Sequence, residues 1–242
     1  MKDRYFSSSV GRLHYRYSDG NYAQTIVLLH GFAASSLSWA RFIEKLPDTM
    51  GVVAPDLLGH GLSEAPEIEF NISNQAKAVE ELISSLNARN IAIMGHSYGG
   101  WIAATIAQKG LCNCLILEDS AGLDSMDDER LSSDPEFMEK FIKQALATNP
   151  NERVLRSIMY SRKQSDYLTQ DTLSSISMPT LIVWGNQDII VPVKFAYVFN
   201  SRIKNSELFI LHGAKHTPHY TNPKEIADKV ISFLAQSKKI LK

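Results

Sequence analysis

Cysteine is scarce in this 242-residue chain, with only Cys112 and Cys114 present. One intervening residue is too short a loop for an ordinary disulfide, and two thiols alone do not complete a zinc site, so both are read as buried or semi-buried thiols. Charge of one sign is also missing: 25 Lys and Arg face 26 Asp and Glu, for a formal net charge of −1. That balance argues against a nucleic-acid-binding surface and against an electrostatic membrane anchor. No apolar run approaches a membrane span, and the amino end Met1-Lys2-Asp3-Arg4-Tyr5-Phe6-Ser7 is too polar for a secretory leader, so a cytoplasmic protein with no membrane partner is expected. Internal repeats and low-complexity linkers are absent as well. His212, His216 and His219 lie close in sequence, but Gly213 and Pro218 break helical spacing and no zincin pattern surrounds them, so no metal is expected. Lys238, Lys239 and Lys242 are read as a solvated tail, and the oligomeric state is left open.

What is present is a large apolar fraction, 44%, enough to bury a substantial core, and one corner rich in chemistry. Asn90-Ile91-Ala92-Ile93-Met94 reads as a strand that runs into Gly95-His96-Ser97-Tyr98-Gly99 and then into the helical Gly100-Trp101-Ile102-Ala103-Ala104. A serine on a strand-to-helix corner between two glycines is a nucleophile elbow: the turn lifts Ser97 clear of the backbone, and side chains at 95 or 99 would collide where strand and helix pass. The corner also aims the first N–H groups of the helix at the space above Ser97, where partial positive charge can hold an oxyanion. A serine is a weak nucleophile without a histidine base and an acid to orient it. Thr180-Leu181-Ile182-Val183-Trp184 leads into Gly185-Asn186-Gln187-Asp188, and Glu207-Leu208-Phe209-Ile210-Leu211 leads into His212-Gly213-Ala214-Lys215-His216. Parallel strands bring their carboxyl ends to one edge, so Asp188 and His216 are expected beside Ser97. Asp119, at the end of the run 114–118, is the alternative acid.

With these residues in hand, the chain resembles the α/β-hydrolase family over about residues 11–236. The likeness includes Leu28-Leu29-His30-Gly31-Phe32, similar to the family's oxyanion turn, and Asp56-Leu57-Leu58-Gly59-His60-Gly61-Leu62-Ser63, similar to its D-x-x-G-x-G-x-S segment. The resemblance implies that the backbone N–H groups of Phe32 and Tyr98 form the oxyanion hole and that no cofactor is needed. His30 and His96 are read as structural hydrogen-bonding residues, Asp56 and Ser63 as stabilisers of their loop, and Trp101 and Tyr98 as pocket walls. His219 is assigned a supporting or surface position.

The pattern predicts a mostly parallel twisted α/β sheet with helices on both faces. An opening hairpin over 4–6 and 13–17 precedes strands near 25–29, 51–54, 91–94, 114–118, 180–184 and 207–211. Helices are expected near 38–46, 73–89 with Ser73 as its cap, 98–109, 192–201 and 222–236, with Pro192 and Pro223 in first turns. Residues 121–177 interrupt the alternation and are assigned to a helical cap between two core segments, 1–120 and 178–242. Its helices start at Asp134-Pro135-Glu136 and Asn149-Pro150-Asn151-Glu152 and carry Phe137, Met138, Phe141, Ile142, Val154, Leu155, Ile158 and Met159 at helical spacing.

The expected chemistry is hydrolysis of small or medium carboxylic esters through an acyl-Ser97 intermediate, as the resemblance implies. Three alternatives stay open. Relatives with a cap hydrolyse a carbon–carbon bond in ring-fission products, although His96 replaces their usual asparagine in the elbow. A proline-type aminopeptidase would need an amine-binding carboxylate among Asp127, Asp128, Glu129, Glu136 and Glu139. A ligand-binding receptor could retain the three residues with slow turnover. Dehalogenases and epoxide hydrolases of this fold carry aspartate at the elbow, which Ser97 argues against.

Overall fold

The computed structural model describes residues 1–88, 90–123 and 135–240. Strands β1 (Lys2–Ser8), β2 (Gly11–Tyr17), β3 (Thr25–Leu29), β4 (Gly51–Pro55), β5 (Ile91–His96), β6 (Cys114–Glu118), β7 (Thr180–Gly185) and β8 (Ser206–Leu211) form an eight-stranded sheet in the order β1-β2-β4-β3-β5-β6-β7-β8. β1 and β2 form the antiparallel hairpin, β2 lies antiparallel to β4, and β4 through β8 run parallel. All the carboxyl ends that carry chemistry therefore share one edge.

Alternation along the strands builds a core on each face of the sheet. Val27, Leu29, Ile93, Leu115, Leu117, Ile182 and Trp184 point into one cluster, and Ile26, Leu28, Ala92, Met94, Ile116, Leu181 and Val183 into the other. Strands buried on both faces read as continuous apolar runs, which is why they were visible in the sequence. Helices α2 (Ile72–Ser85), α3 (Tyr98–Ala107) and α7 (Lys194–Arg202) cover the first face; α1 (Ala40–Ile43) and α9 (Pro223–Ile240) cover the second, with the short α8 (Pro218–Thr221) packed against both. Cys112 and Cys114 are both buried thiols, and burial pushes the Cys112 thiol up to about 12, far from thiolate chemistry.

Several local expectations are corrected. The region 38–46 divides into a 3-10 turn at Ser36–Trp39 and the short α1, because Ser35 caps Leu37 and starts the turn early. Asn71, not Ser73, caps α2 through the Asn74 N–H, so the helix begins at Ile72, ahead of Ser73. That helix ends at Ser85, where Leu86 turns extended. Pro192 lies in a turn before α7 rather than inside it, whereas Pro223 does open α9.

Between β6 and β7 the described residues contain α4 (Pro135–Ala145), α5 (Glu152–Tyr160) and α6 (Gln170–Ser174). Asn151 caps α5, as the Asn-Pro-Asn-Glu signal implied, and α4 opens on Pro135; Asp134 lies outside the described residues. The insertion is tied to the loop after β4: Asn149 donates to the Gly59 carbonyl, Ser157 accepts the Phe70 N–H, and Arg153 donates to the Ala65 and Pro66 carbonyls. The eight apolar positions split three ways. Val154 and Ile158 join the main core, Met138, Ile142, Leu155 and Met159 pack with Ala33 in a separate cluster, and Phe141 and Met159 also line a cavity. Phe137 stacks on Phe141 at 6.2 Å.

Candidate active site

The corner between β5 and α3 carries its strain at Ser97, with φ 52 and ψ −115. A non-glycine residue there sits in a sparsely populated region and persists only where its surroundings over-determine it. The surroundings are tight: Ser97 N–H donates to the Glu118 carbonyl at 3.0 Å, and the Ser97 carbonyl accepts from Ala121 and Trp101. A Cβ at Gly99 would lie 2.2 Å from the Leu29 carbonyl oxygen, and one at Gly95 would lie 2.2 Å from that of Gly99. Strand and helix backbones therefore touch on both sides of the serine, as the elbow requires.

His216, on the loop after β8, places Nε2 3.0 Å from Ser97 Oγ. Its Nδ1 lies 2.7 Å from Asp188 Oδ2, on the loop after β7. Asp188 Oδ1 accepts the N–H groups of Ile190 and Val191 at 2.8 and 3.0 Å, which orients the carboxylate toward the ring. The three residues form one hydrogen-bonded chain. Tyr98 opens α3, so its N–H has no intrahelical acceptor. In the turn after β3, Ala33 and Ala34 donate to His60 Nε2 and the Gly31 carbonyl, which holds Phe32 beside the elbow. Burial drives His60 down to about 3, keeping its ring neutral and able to accept.

Asp119 does not contact His216 as the alternative acid would. Its Oδ1 accepts the Gly185 N–H at 3.0 Å and its Oδ2 receives no donor. Burial, then the neighbouring Glu118 and Asp188 carboxylates, raise its ionisation well above the usual range, which favours its protonated form. For stability the sign is clear: a raised folded-state value means stability is full below the ordinary aspartate range of about 3.9 and falls as pH rises toward the raised value. Asp119→Asn, isosteric with the neutral acid, is expected to raise Tm at pH 7–8 and to remove part of this decline, measured by thermal melts from pH 4 to 8.

Behind the histidine lies a second buried cluster absent from the sequence reading. His96 Nε2 donates to the His216 carbonyl at 2.6 Å, and burial, then His219 and His216 nearby, keep His96 neutral. Glu118 accepts from the His219 N–H at 2.7 Å and from His219 Nδ1 at 2.5 Å. His219 is thus buried, against the surface option, and packs on Trp39 at 4.1 Å. Among the described residues, two groups have ligand-type atoms within 4.8 Å of one another, His96–Glu118–His219 and Asp119–Asp188–His216. In the first, both Glu118 oxygens and His96 Nε2 are already engaged with protein donors and acceptors, which is the chemistry of a structural network. His30 and Asp56 match their structural assignments: His30 accepts the Leu57 N–H, and Asp56 gathers the N–H groups of Ser36 and Leu62 while its carbonyl accepts from Ser63. Burial works against the Asp56 anion, but those N–H groups outweigh it and lower its ionisation below the ordinary value.

Ser97 opens into a mainly apolar cavity. Trp101, Phe141, Met159, Val191 and Phe195 supply most of the wall, with Phe32 stacked on Phe141 at 5.4 Å. Over residues 24–153, more than half of the chain, the sequence matches the family described as alpha/beta hydrolase fold. The chain belongs to this family. Among curated relatives of this alpha/beta hydrolase, 2-hydroxy-6-oxo-6-(2'-aminophenyl)hexa-2,4-dienoic acid hydrolase of Metapseudomonas resinovorans is 24% identical, covering 94% of this chain and 90% of the relative. Monoacylglycerol lipase ABHD6 of Homo sapiens is also 24% identical, covering 87% and 75%. The crystal structure of a putative lipase from Acinetobacter baumannii AYE superposes with a TM-score of 0.82 at 22% identity, covering 98% of this chain and 92% of that one, a likeness of fold. Among the described residues of this alpha/beta hydrolase, no helix is long and apolar enough to cross a membrane.

Proposed function

We propose that this alpha/beta hydrolase is a serine esterase acting on small or medium carboxylic esters, in the cytoplasm and without a cofactor. The observation that carries the reading is the continuous chain from Ser97 Oγ to His216 to Asp188 at the wall of an apolar cavity. Ser97 Oγ attacks the ester carbonyl as His216 Nε2 takes its proton; the N–H groups of Phe32 and Tyr98 hold the oxyanion. His216 returns the proton to the departing alcohol, leaving acyl-Ser97. Water then gives a proton to His216 and attacks the acyl carbon, and the proton passes back to Ser97 as the acid leaves.

Residues 121–177 act as a cap over this site, contributing Phe141 and Met159 to the acyl wall. Phe141→Ala and Met159→Ala are expected to shift the acyl-length optimum, since one methylene in an apolar pocket discriminates by about 1–3 kcal/mol. Ile158→Ala, in the main core, should instead cost about 2–5 kcal/mol of stability with an unchanged profile. Kinetics on a graded ester series beside thermal melts separates the two outcomes.

Carbon–carbon bond hydrolysis is the second reading, supported by the named activity of the Metapseudomonas relative. Aminopeptidase activity is less well supported. Among the described residues the cavity carries no carboxylate, Glu139 is engaged with Arg156 and Tyr160, and Glu136 does not line the cavity. Asp127, Asp128 and Glu129 lie outside the described residues. A panel of p-nitrophenyl esters of increasing acyl length, run beside a ring-fission dienoate and a proline arylamide, chooses among the three. Active-site titration in the same assay identifies a slow-turnover receptor.

A further inference from the structure

The cavity beside Ser97 is mainly apolar, and among its described lining residues one side chain carries a full charge. Arg162, just beyond the end of α5, lines it and is half-buried. Its neighbours on that helix behave differently: Arg156 is paired with Glu139 and Glu152, and Arg153 reaches Glu67. Arg162 forms no ion pair with any described carboxylate. Its Nε meets the Ile158 carbonyl at 3.4 Å, its Nη2 meets the Met159 sulfur at 3.1 Å, and its guanidinium lies 5.8 Å from the Trp101 ring centroid. A guanidinium has five N–H donors, and a long carbonyl contact and a thioether are poor partners for a partly desolvated cation. An oxyanion with two acceptor oxygens satisfies the same fork in a bidentate way and is what such a site binds best.

The position of the cation fixes where that anion belongs in the substrate. Trp101 follows Ser97 by four residues, just over one turn of α3 and about 6 Å of rise, and Tyr167, also in the wall, stacks on it at 5.1 Å. An acyl chain attached at Ser97 and running along the Trp101 face therefore meets the guanidinium a few carbons from the scissile carbonyl.

We propose that the substrate of this alpha/beta hydrolase carries a carboxylate remote from the scissile carbonyl, held by Arg162, with the chain between them lying on Trp101. This deepens the esterase reading and rests on the cavity beside Ser97 being the substrate site. Two sources present this chemistry, a half-ester of a short dicarboxylic acid and a ring-fission dienoate.

The test compares monophenyl adipate, an anion, with methyl phenyl adipate, its neutral counterpart with the same phenyl ester. Phenol release is followed in the wild type, Arg162→Met, Arg162→Lys and, as a surface control, Arg153→Met. The wild type is expected to favour the anion in kcat/KM by about tenfold to a hundredfold, the range for hydrogen bonds to a charged group. Arg162→Met should bring that ratio to about one or below, Arg162→Lys should keep part of it, and Arg153→Met should keep all of it. Calorimetric binding of the two compounds to Ser97→Ala, with and without Arg162→Met, reads the same preference without chemistry. Preferential binding of the anion through Arg162 with no phenol release sustains the inference and defeats the esterase reading. Phenol release without charge preference in the wild type defeats the inference alone, as does a preference that survives Arg162→Met. Should Arg162→Met fail to fold, Arg162→Gln in the same assays decides. A ring-fission dienoate offered in parallel separates the sources: its cleavage, with loss in Arg162→Met, assigns the carboxylate to the dienoate, and exclusive turnover of the adipate half-ester assigns it to the ester.

Discussion

Ser97→Ala and His216→Ala are each expected to lower kcat for ester hydrolysis by about four to six orders of magnitude, and the double variant by little more than either alone. The two side chains act as one unit: the 3.0 Å contact between Ser97 Oγ and His216 Nε2 has value only while a hydroxyl is there to be deprotonated. Removing the hydroxyl leaves the histidine nothing to activate, and removing the ring leaves an ordinary alcohol. Neither change should unfold the protein, because the strain at the corner is held by backbone contacts from Glu118, Ala121 and Trp101 rather than by the hydroxyl. Steady-state kinetics on p-nitrophenyl esters with purified variants, matched by thermal melts, checks this. Near-normal turnover by Ser97→Ala would remove Ser97 from the mechanism.

Asp188→Asn should cost about 10⁴ in kcat with folding preserved, because the histidine loses its orienting anion and adopts the wrong tautomer. Its amide would also present a donor to His216 Nδ1, where an acceptor now lies at 2.7 Å. Asp119→Asn is the informative contrast. Burial and neighbouring carboxylates favour the protonated form of Asp119, so an amide reproduces its shape and still accepts the Gly185 N–H. Its kcat should stay within about an order of magnitude of wild type on the scale of loss known for orienting residues. Measuring both variants on one ester at one pH ranks the two carboxyls, and the reverse ranking would transfer the orienting role to Asp119.

The contrast between those two aspartates marks where sequence reading stops. Both follow apolar strands and both fall at the same sheet edge, because β6 and β7 are parallel neighbours, with Glu118 beside Val183. Order along the chain cannot say which carboxyl turns toward His216. That is decided by the turn after β7, whose Ile190 and Val191 N–H groups hold Asp188, and by the positive φ of 44 at Asp119, which directs its side chain to Gly185. His219 could not be fixed between a supporting and a surface position for a similar reason: its partner Glu118 is 101 residues away and ends a strand that reads as wholly apolar until its last position.

Local pattern by itself determined the strands, the elbow at Ser97, the starts of α4 and α5 and the chain order of the serine, acid and histidine, because backbone sterics, capping and burial on two sheet faces act over a few residues. Only the tertiary structure divided the eight apolar positions of the insertion between the main core, a separate cluster and the cavity, and placed Arg162 in that cavity. Helical spacing fixes which residues share a face but not what the face meets, and an arginine in the polar stretch Ser161-Arg162-Lys163-Gln164-Ser165 looks like any solvated turn until the fold sets it against Trp101.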